Sequence, residues 1–229
     1  MAHGLRIADN AAMTSELFPD EPAVEPGGEP IAPGAVVLRG FALSSAPALL
    51  DAVGAVTNRS PFRFMSTRGG FQMSVGMTNC GAAGWITDRT GYRYDSIDPL
   101  TGEPWPAMPD VFAALATAAA ARAGFGPFTP DACLINQYEP GSRMSLHQDR
   151  NERDFTAPIV SVSLGLPAVF LFGGERRADR PQRVALAHGD VVIWGGPARL
   201  RFHGVLPLKD GEHPLTGRRR LNFTFRKAL

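Results

Sequence analysis

Apolar and polar positions divide the chain into regions of different texture. Ala35-Val36-Val37-Leu38 is a short apolar run and predicts a buried strand. A helix is predicted next, with Ser44 or Ser45 as N-cap, Pro47 in the first turn, and Leu49, Val53 and Val56 on one face. A second helical period runs from Pro109 to Ala123, with Phe112, Leu115 and Ala119 inward and Gly124 as the stop. Between the helices, residues 62–106 mix Gly, Met and aromatics without helical period. Phe71 to Thr78 predicts a strand, and the stretch after it, carrying Trp85, Tyr92, Tyr94 and Trp105, reads as a loop. From residue 131 onward short apolar runs alternate with turn clusters. They predict strands over Ala132–Tyr138, Ile159–Leu164, Ala168–Phe172, Arg183–Ala187, Val191–Trp194, His203–Leu206 and Arg219–Arg226. Short strands at this spacing suggest a sandwich or jelly roll. Residues 1–33 show no apolar period, and Glu21-Pro22, Glu25-Pro26-Gly27-Gly28 and Glu29-Pro30 read as a Pro/Gly/acid-rich tail.

Composition narrows the function classes. The 229 residues suffice for one good-sized domain, and 44% hydrophobic with 20% charged residues supplies a buried core. A net charge of +1 argues against a histone-type nucleic-acid binder, while leaving room for a local basic groove. Lys209 and Lys227 are the only lysines, so arginine dominates the basic residues and single arginines carry less functional weight. Cys80 and Cys133 cannot build a disulfide framework or a four-thiolate zinc site, and Cys133, in an apolar strand, reads as an inert buried thiol. With no long apolar run and no signal-peptide pattern, the expectation is a cytoplasmic protein without membrane partner.

Two histidines stand in suggestive contexts, Leu146-His147-Gln148-Asp149 and Phe202-His203-Gly204. On an extended segment, residues i and i+2 share a face. His147 and Asp149 can therefore grip one ion together, with His203 arriving from another strand. Two His and one carboxylate leave the opposite face of an ion open, the arrangement of non-heme Fe(II) oxygenases. A His-x-Asp pair is also common by chance, and a histidine is more often a hydrogen-bonded structural residue. The C-terminal run Arg220-Leu221-Asn222-Phe223-Thr224-Phe225-Arg226 alternates polar and apolar residues throughout. A solvated sheet face explains that pattern without any function. Two guanidiniums and an amide on one face also suit a small dicarboxylate. Asn136 and Tyr138, again i and i+2, can add hydrogen bonds.

His147-x-Asp149, His203 and Arg220-x-Asn222-x-Thr224-x-Arg226 together resemble the signature of the AlkB family, Fe(II)/2-oxoglutarate dioxygenases that reverse alkylation damage on nucleic acid bases. The resemblance extends to Asn79-Cys80-Gly81, Gly84-Trp85, Gly91-Tyr92, Trp105-Pro106-Ala107-Met108-Pro109, Pro130 to Asn136, Pro158 to Pro167 and His188-Gly189-Asp190-Val191, covering roughly residues 33 to 227. It implies a mainly β fold with flanking helices (α+β), a double-stranded β-helix or jelly roll over about 130–227, and a nucleotide-recognition lid over about 60–107. Both would lie within a single dioxygenase domain spanning 34–229. It implies Fe(II) bound by His147, Asp149 and His203, with 2-oxoglutarate and O2 as cosubstrates. Arg220, Asn222 and Tyr138 would hold the distal carboxylate of 2-oxoglutarate, and Arg226 with Asn136 would lie at the chelating end. Trp85 would stack on an extruded base opposite His147, and Thr67, Met77, Tyr92, Asn151 and Arg177 match substrate-contacting positions. Arg143, Arg176 and Arg180 are candidates for phosphate contact.

The implied activity is oxidative dealkylation of bases of the 1-methyladenine and 3-methylcytosine type in DNA, preferably single-stranded, and in RNA, by a monomeric enzyme. A relative acting on RNA, tRNA or protein, and a non-catalytic metal-stabilised jelly-roll binding module, are the alternatives. One position departs from the family pattern: Asn151 stands where an acidic residue is expected, two after the metal aspartate. An asparagine keeps an acceptor oxygen and loses the charge, which predicts weaker discrimination between cationic and neutral adducts.

Overall fold

The computed structural model describes Met1 and residues 27–229; the greater part of the segment read as a tail, residues 2–26, lies outside the described residues. The tail reading ends too late. Glu29–Ala32 forms strand β1, paired antiparallel with β2 (Ala35–Leu38). β1 is the edge of its sheet, where a proline such as Pro30 costs no ladder hydrogen bond to a second neighbour.

Helix α1 (Ala46–Arg59) follows. Ser45 occupies its N-cap position without a side-chain cap, and Ala46, Leu49, Val53 and Val56 are its buried residues. β3 (Arg63–Ser66) and β4 (Gln72–Gly81) form a hairpin. The stretch read as a loop is instead a second hairpin, β5 (Gly84–Asp88) with β6 (Gly91–Asp95), which places Trp85, Tyr92 and Tyr94 on strands. Its physical basis is local. Aromatic and β-branched residues flank a two-residue turn in which Asp88 Oδ1 accepts the Thr90 N–H at 2.7 Å, and Gly91 takes a φ of +122°. Helix α2 (Asp110–Arg122) ends before Gly124, whose φ is +80°.

The remaining strands are β7 (Ala132–Tyr138), β8 (Met144–His147), β9 (Ile159–Gly165), β10 (Ala168–Phe172), β11 (Gln182–Leu186), β12 (Val191–Trp194), β13 (His203–Val205) and β14 (Arg220–Arg226). Eight strands form one sheet in the order β1-β2-β12-β9-β14-β7-β4-β3, and four form a second, β11-β10-β13-β8. This is a jelly-roll core of two sheets with helices to one side. Among the described residues no helix is long and apolar enough to cross a membrane.

Two apolar cores bracket the large sheet. One joins α1 and α2 to its outer face through Leu49, Val53, Phe112, Leu115, Phe223 and Phe225. The other fills the space between the sheets through Val37, Leu134, Ile159, Phe170, Phe172 and Trp194. The alternation of β14 finds its explanation here. All seven of its residues are buried, the apolar set against the helices and the polar set toward the interior of the roll, so neither face is solvated.

Phe223 meets Phe112 edge-on with ring centroids 5.0 Å apart and has no exposed surface. Phe223→Ala should lower stability by about 3–5 kcal/mol, read from urea unfolding followed by circular dichroism.

Candidate active site

β8 and β13 are neighbours in the smaller sheet, with His147 opposite His203 and an irregularity in the ladder beyond. Gly204 permits this approach, because a Cβ there would lie 2.7 Å from the Met144 carbonyl oxygen. The imidazoles stand 4.3 Å apart, centre to centre. Asp149 follows two residues after His147, and its carboxylate lies 3.7 Å from His147 Nε2 and 3.8 Å from His203 Nε2. One ligand atom from each of the three residues falls within 4.8 Å of the others, a spacing suited to a single metal ion.

The protonation pattern also suits a metal. His147 Nδ1 lies 2.9 Å from the Ser145 carbonyl oxygen and His203 Nδ1 lies 3.1 Å from that of Arg201. A carbonyl can only accept, so each Nδ1 carries the hydrogen and each Nε2 turns a lone pair toward Asp149. Burial, then the neighbouring His147, pushes His203 down to about 3, so it is neutral at pH 7. Burial opposes ionisation of Asp149, yet the Arg226 guanidinium, followed by the two imidazoles, holds its carboxyl well below the usual range. Two imidazole nitrogens and one anionic carboxylate are what a divalent transition metal with open positions requires.

Arg226 donates Nε to Asp149 Oδ2 at 2.8 Å, with Nη2 2.7 Å from the same oxygen. Asp149 Oδ1 accepts no hydrogen bond among the described residues and is free to ligate. The network continues inward. Glu152 Oε1 lies 3.5 Å from Arg226 Nε, Glu152 Oε2 lies 3.3 Å from Arg199 Nη2, and Arg199 Nη1 donates to the Asp149 backbone oxygen at 2.8 Å. The Tyr94 hydroxyl donates to Glu152 Oε1 at 2.6 Å, tying the β5–β6 hairpin to the network. Burial holds that phenol well above its ordinary value, so it stays a donor. Two carboxylates and two guanidiniums thus neutralise each other out of water. Glu152, Arg199 and Tyr94 carry no sequence pattern that assigns them this task.

The facing wall belongs to the large sheet. Arg220 is opposite Tyr138, and Asn222 opposite Asn136, across the β14–β7 ladder. Arg220 is 1% exposed, lies over the Tyr138 ring at 4.9 Å and donates Nη2 to Ser163 Oγ at 2.9 Å. Its Nε and Nη1 have no partner among the described residues, and neither has Asn136 Oδ1. A buried guanidinium with two idle nitrogens on a cavity wall is costly unless an anion completes it. That cavity lies between the imidazoles and Arg220, with Asn136, Ser161, Thr224 and Arg226 also on its walls. A small dicarboxylate reaching from the metal to Arg220 fits these groups.

Two of the residues expected to bind it directly are otherwise engaged. Asn222 Nδ2 donates to Ser161 Oγ and the Val162 oxygen at 2.8 and 2.9 Å, while its Oδ1 accepts from Asn136 and Thr224, both at 3.2 Å. Asn222 has no group left for a ligand; it orients Asn136. Arg226 spends Nε and Nη2 on Asp149, which makes it first a clamp on the metal carboxylate.

The cavity shares Leu134, Met144, His147 and Arg226 with an open groove of about 890 Å³. Thr67, Met77, Trp85, Tyr92, Asn151 and Arg177 all line this groove, although they come from separate stretches of chain. Met77 contributes to the floor with no solvent exposure of its own. Trp85 stacks on Tyr92 at 5.6 Å and 22°. Thr67 Oγ1 accepts the Phe71 N–H at 3.2 Å and so steadies the β3–β4 turn. Of the candidate phosphate contacts, Arg143 lines the groove, whereas Arg176 pairs with Asp179 at 3.1 Å; neither Arg176 nor Arg180 is among the lining residues.

Comparison with known proteins agrees with this chemistry. Residues 34–226 match the model of the 2OG-Fe(II) oxygenase superfamily. The chain is 60% identical over 213 residues to the alpha-ketoglutarate-dependent dioxygenase AlkB of Salmonella typhimurium (strain LT2), covering 93% of this chain and 97% of that protein. It is 57% identical over the same length to the protein of that name from Escherichia coli (strain K12), with the same coverage. The solved structure of OsALKBH1 superposes with a TM-score of 0.75 at 29% identity, covering 86% of this chain and 100% of that one.

Arg226→Met should destabilise the fold by about 3–5 kcal/mol at pH 7, since it strands Asp149 and Glu152 with one guanidinium between them. The folded carboxyl of Asp149 is depressed, so its contribution exists above the unfolded carboxylate value and fades as pH falls. The gap between wild type and variant should therefore narrow below about pH 5, measured by thermal melts across pH.

Proposed function

The chain belongs to the 2OG-Fe(II) oxygenase superfamily, and from that premise we propose that it removes alkyl groups oxidatively from the nitrogens of nucleic acid bases, as its resemblance to the AlkB family implies. The observation that carries this reading is the continuity of the site. A His-Asp-His cluster, a buried unpaired guanidinium and an aromatic-walled groove follow one another without interruption. When bound, Fe(II) and 2-oxoglutarate supply the oxidation by O2 of the N-alkyl carbon, with succinate and CO2 formed and the alkyl group leaving as an aldehyde.

The residues divide the remaining work. His147, Asp149 and His203 would hold the metal, the Nε2 atoms and the unpaired Asp149 Oδ1 being the atoms they offer. Arg226 keeps Asp149 ionised and fixed, and Arg199 with Glu152 anchors the loop that carries it. Arg220, buttressed by Ser163 and Tyr138, takes the distal carboxylate of 2-oxoglutarate, and Asn136, oriented by Asn222, faces the chelating end. Trp85, supported by Tyr92, receives the base by stacking, with His147 across the groove. Stacking of this kind is worth about 1–3 kcal/mol per base and does not depend on its identity. Thr67, Met77, Asn151 and Arg177 shape the rest of the contact surface.

A base inside a duplex cannot reach an atom buried between two sheets, so the target base is single-stranded or flipped out, with single-stranded DNA preferred and RNA as a second class. The hairpins within residues 60–107 serve as the nucleotide-recognition lid over a jelly-roll core of residues 130–227, in one domain spanning 34–229. The enzyme acts as a cytoplasmic monomer. Arg143, Arg150 and Arg177 offer the local charge that a near-neutral chain needs to hold a phosphate backbone.

Succinate release with Fe(II) and 2-oxoglutarate should rise on adding single-stranded oligonucleotide containing 1-methyladenine or 3-methylcytosine, and not with the unmethylated strand. Succinate that is indifferent to the methylated strand would turn the reading toward another substrate, and none under any condition toward a binding module. Arg220→Gln should raise the KM for 2-oxoglutarate about 10- to 100-fold, from hydrogen bonds to a charged group worth roughly 1.5–3 kcal/mol. Trp85→Ala should raise the KM for the oligonucleotide about 5- to 100-fold, while metal affinity, followed by isothermal titration, stays unchanged.

A further inference from the structure

The groove that leads to the triad is unbalanced in charge. Arg143, Arg150 and Arg177 line it, and the one carboxylate among the described residues that line it, Asp149, is already clamped by Arg226. A base that carries a positive charge meets no free counter-charge there. Asn151 stands on the same wall, two residues beyond Asp149. The indole Nε1–H of Trp85 donates to its Oδ1 at 3.3 Å. Indole nitrogen is a donor only, so reversing the amide would set N–H against N–H. The contact therefore orients the side chain, and the Trp85–Tyr92 stack holds the indole in place. One of the two acceptor sites of the Asn151 oxygen is thus already in use. The part of Asn151 that is wholly unengaged is its NH2 group, which has no partner among the described residues.

We propose, resting on the dealkylation reading above, that Asn151 is a specificity-determining residue that donates to a carbonyl oxygen beside the alkylated nitrogen. The site then favours neutral oxo bases, such as 3-methyluracil, over cationic amino bases, such as 3-methylcytosine. These two pyrimidines differ at ring position 4 alone. The carbonyl of the first accepts the Asn151 N–H. The amine of the second brings donor against donor and adds a positive charge to a groove rich in guanidinium. A site whose buried polar groups match one partner rejects the mismatched analogue more strongly than shape alone would.

The test uses the holoenzyme with Fe(II), 2-oxoglutarate and matched single-stranded oligonucleotides, each holding one 3-methyluracil or one 3-methylcytosine. The ratio of kcat/KM, uracil over cytosine, should exceed 1 in the wild type. Asn151→Ala, at an exposed position, should cost about 10-fold more on 3-methyluracil than on 3-methylcytosine. Asn151→Asp should reverse the preference by supplying both acceptor and counter-charge. Fluorescence anisotropy of the labelled strands should show the same reordering in Kd. A wild-type ratio well below 1, or an equal loss on both strands in Asn151→Ala, would overturn the inference and leave the dealkylation reading standing. Absence of turnover on both strands would overturn that reading, and this inference with it.

Discussion

A carboxylate taken out of water stays charged only if something nearby makes the charge worth keeping. In this protein that something is Arg226, whose guanidinium sits against Asp149 Oδ2 from the last residue of β14. The pairing leaves Oδ1 free, keeps it anionic and fixes where it points. Without it Asp149 would be a buried carboxylate with its strongest counter-charge gone, and neither its charge nor its direction would be secured. Glu152 and Arg199 extend the same neutralisation one layer further, and Tyr94 draws the β5–β6 hairpin into it. Metal site and substrate groove are therefore joined by one polar network rather than by proximity alone.

β14 couples that network to stability. Its apolar residues hold the helices to the large sheet, and its polar residues furnish the walls of the cavity. A shift of one residue in its register would exchange the two sets, setting Phe223 among the cosubstrate groups and Arg220 against the helices. Pairing on both sides, with β7 and β9, opposes such a slip. Correct packing of the core and correct assembly of the site are consequently the same event in this fold.

Much of this was legible from the chain. Strong periodicity marks both helices and most strands after residue 131, and i, i+2 spacing brings His147 and Asp149 to one site, with Asp149 just beyond β8 rather than on it. The missed elements share a cause. β1 carries a proline, the β5–β6 hairpin sits among glycines, and β3 and β8 have four residues each, so composition and brevity hid strands that edge position, a two-residue turn and pairing partners make possible. At the site, residue types were visible but not the division of labour. Asn222 looked like a ligand group, yet its hydrogen bonds all go to Ser161, Val162, Asn136 and Thr224. Arg199 was indistinguishable from the other arginines of an arginine-rich chain. Which polar atom is left over after the protein has satisfied the rest is a property of three dimensions.

The carbonyls of Ser145 and Arg201 set the tautomers of His147 and His203, each from two residues earlier on its own stretch of chain. Metal-binding imidazoles elsewhere are often oriented by a neighbouring carboxylate, which one nucleotide change can delete. Here the acceptor is main chain, present whatever side chain occupies position 145 or 201. The readiness of these two rings is thus shielded from drift at the very positions that secure it, and only a change in backbone path can take it away.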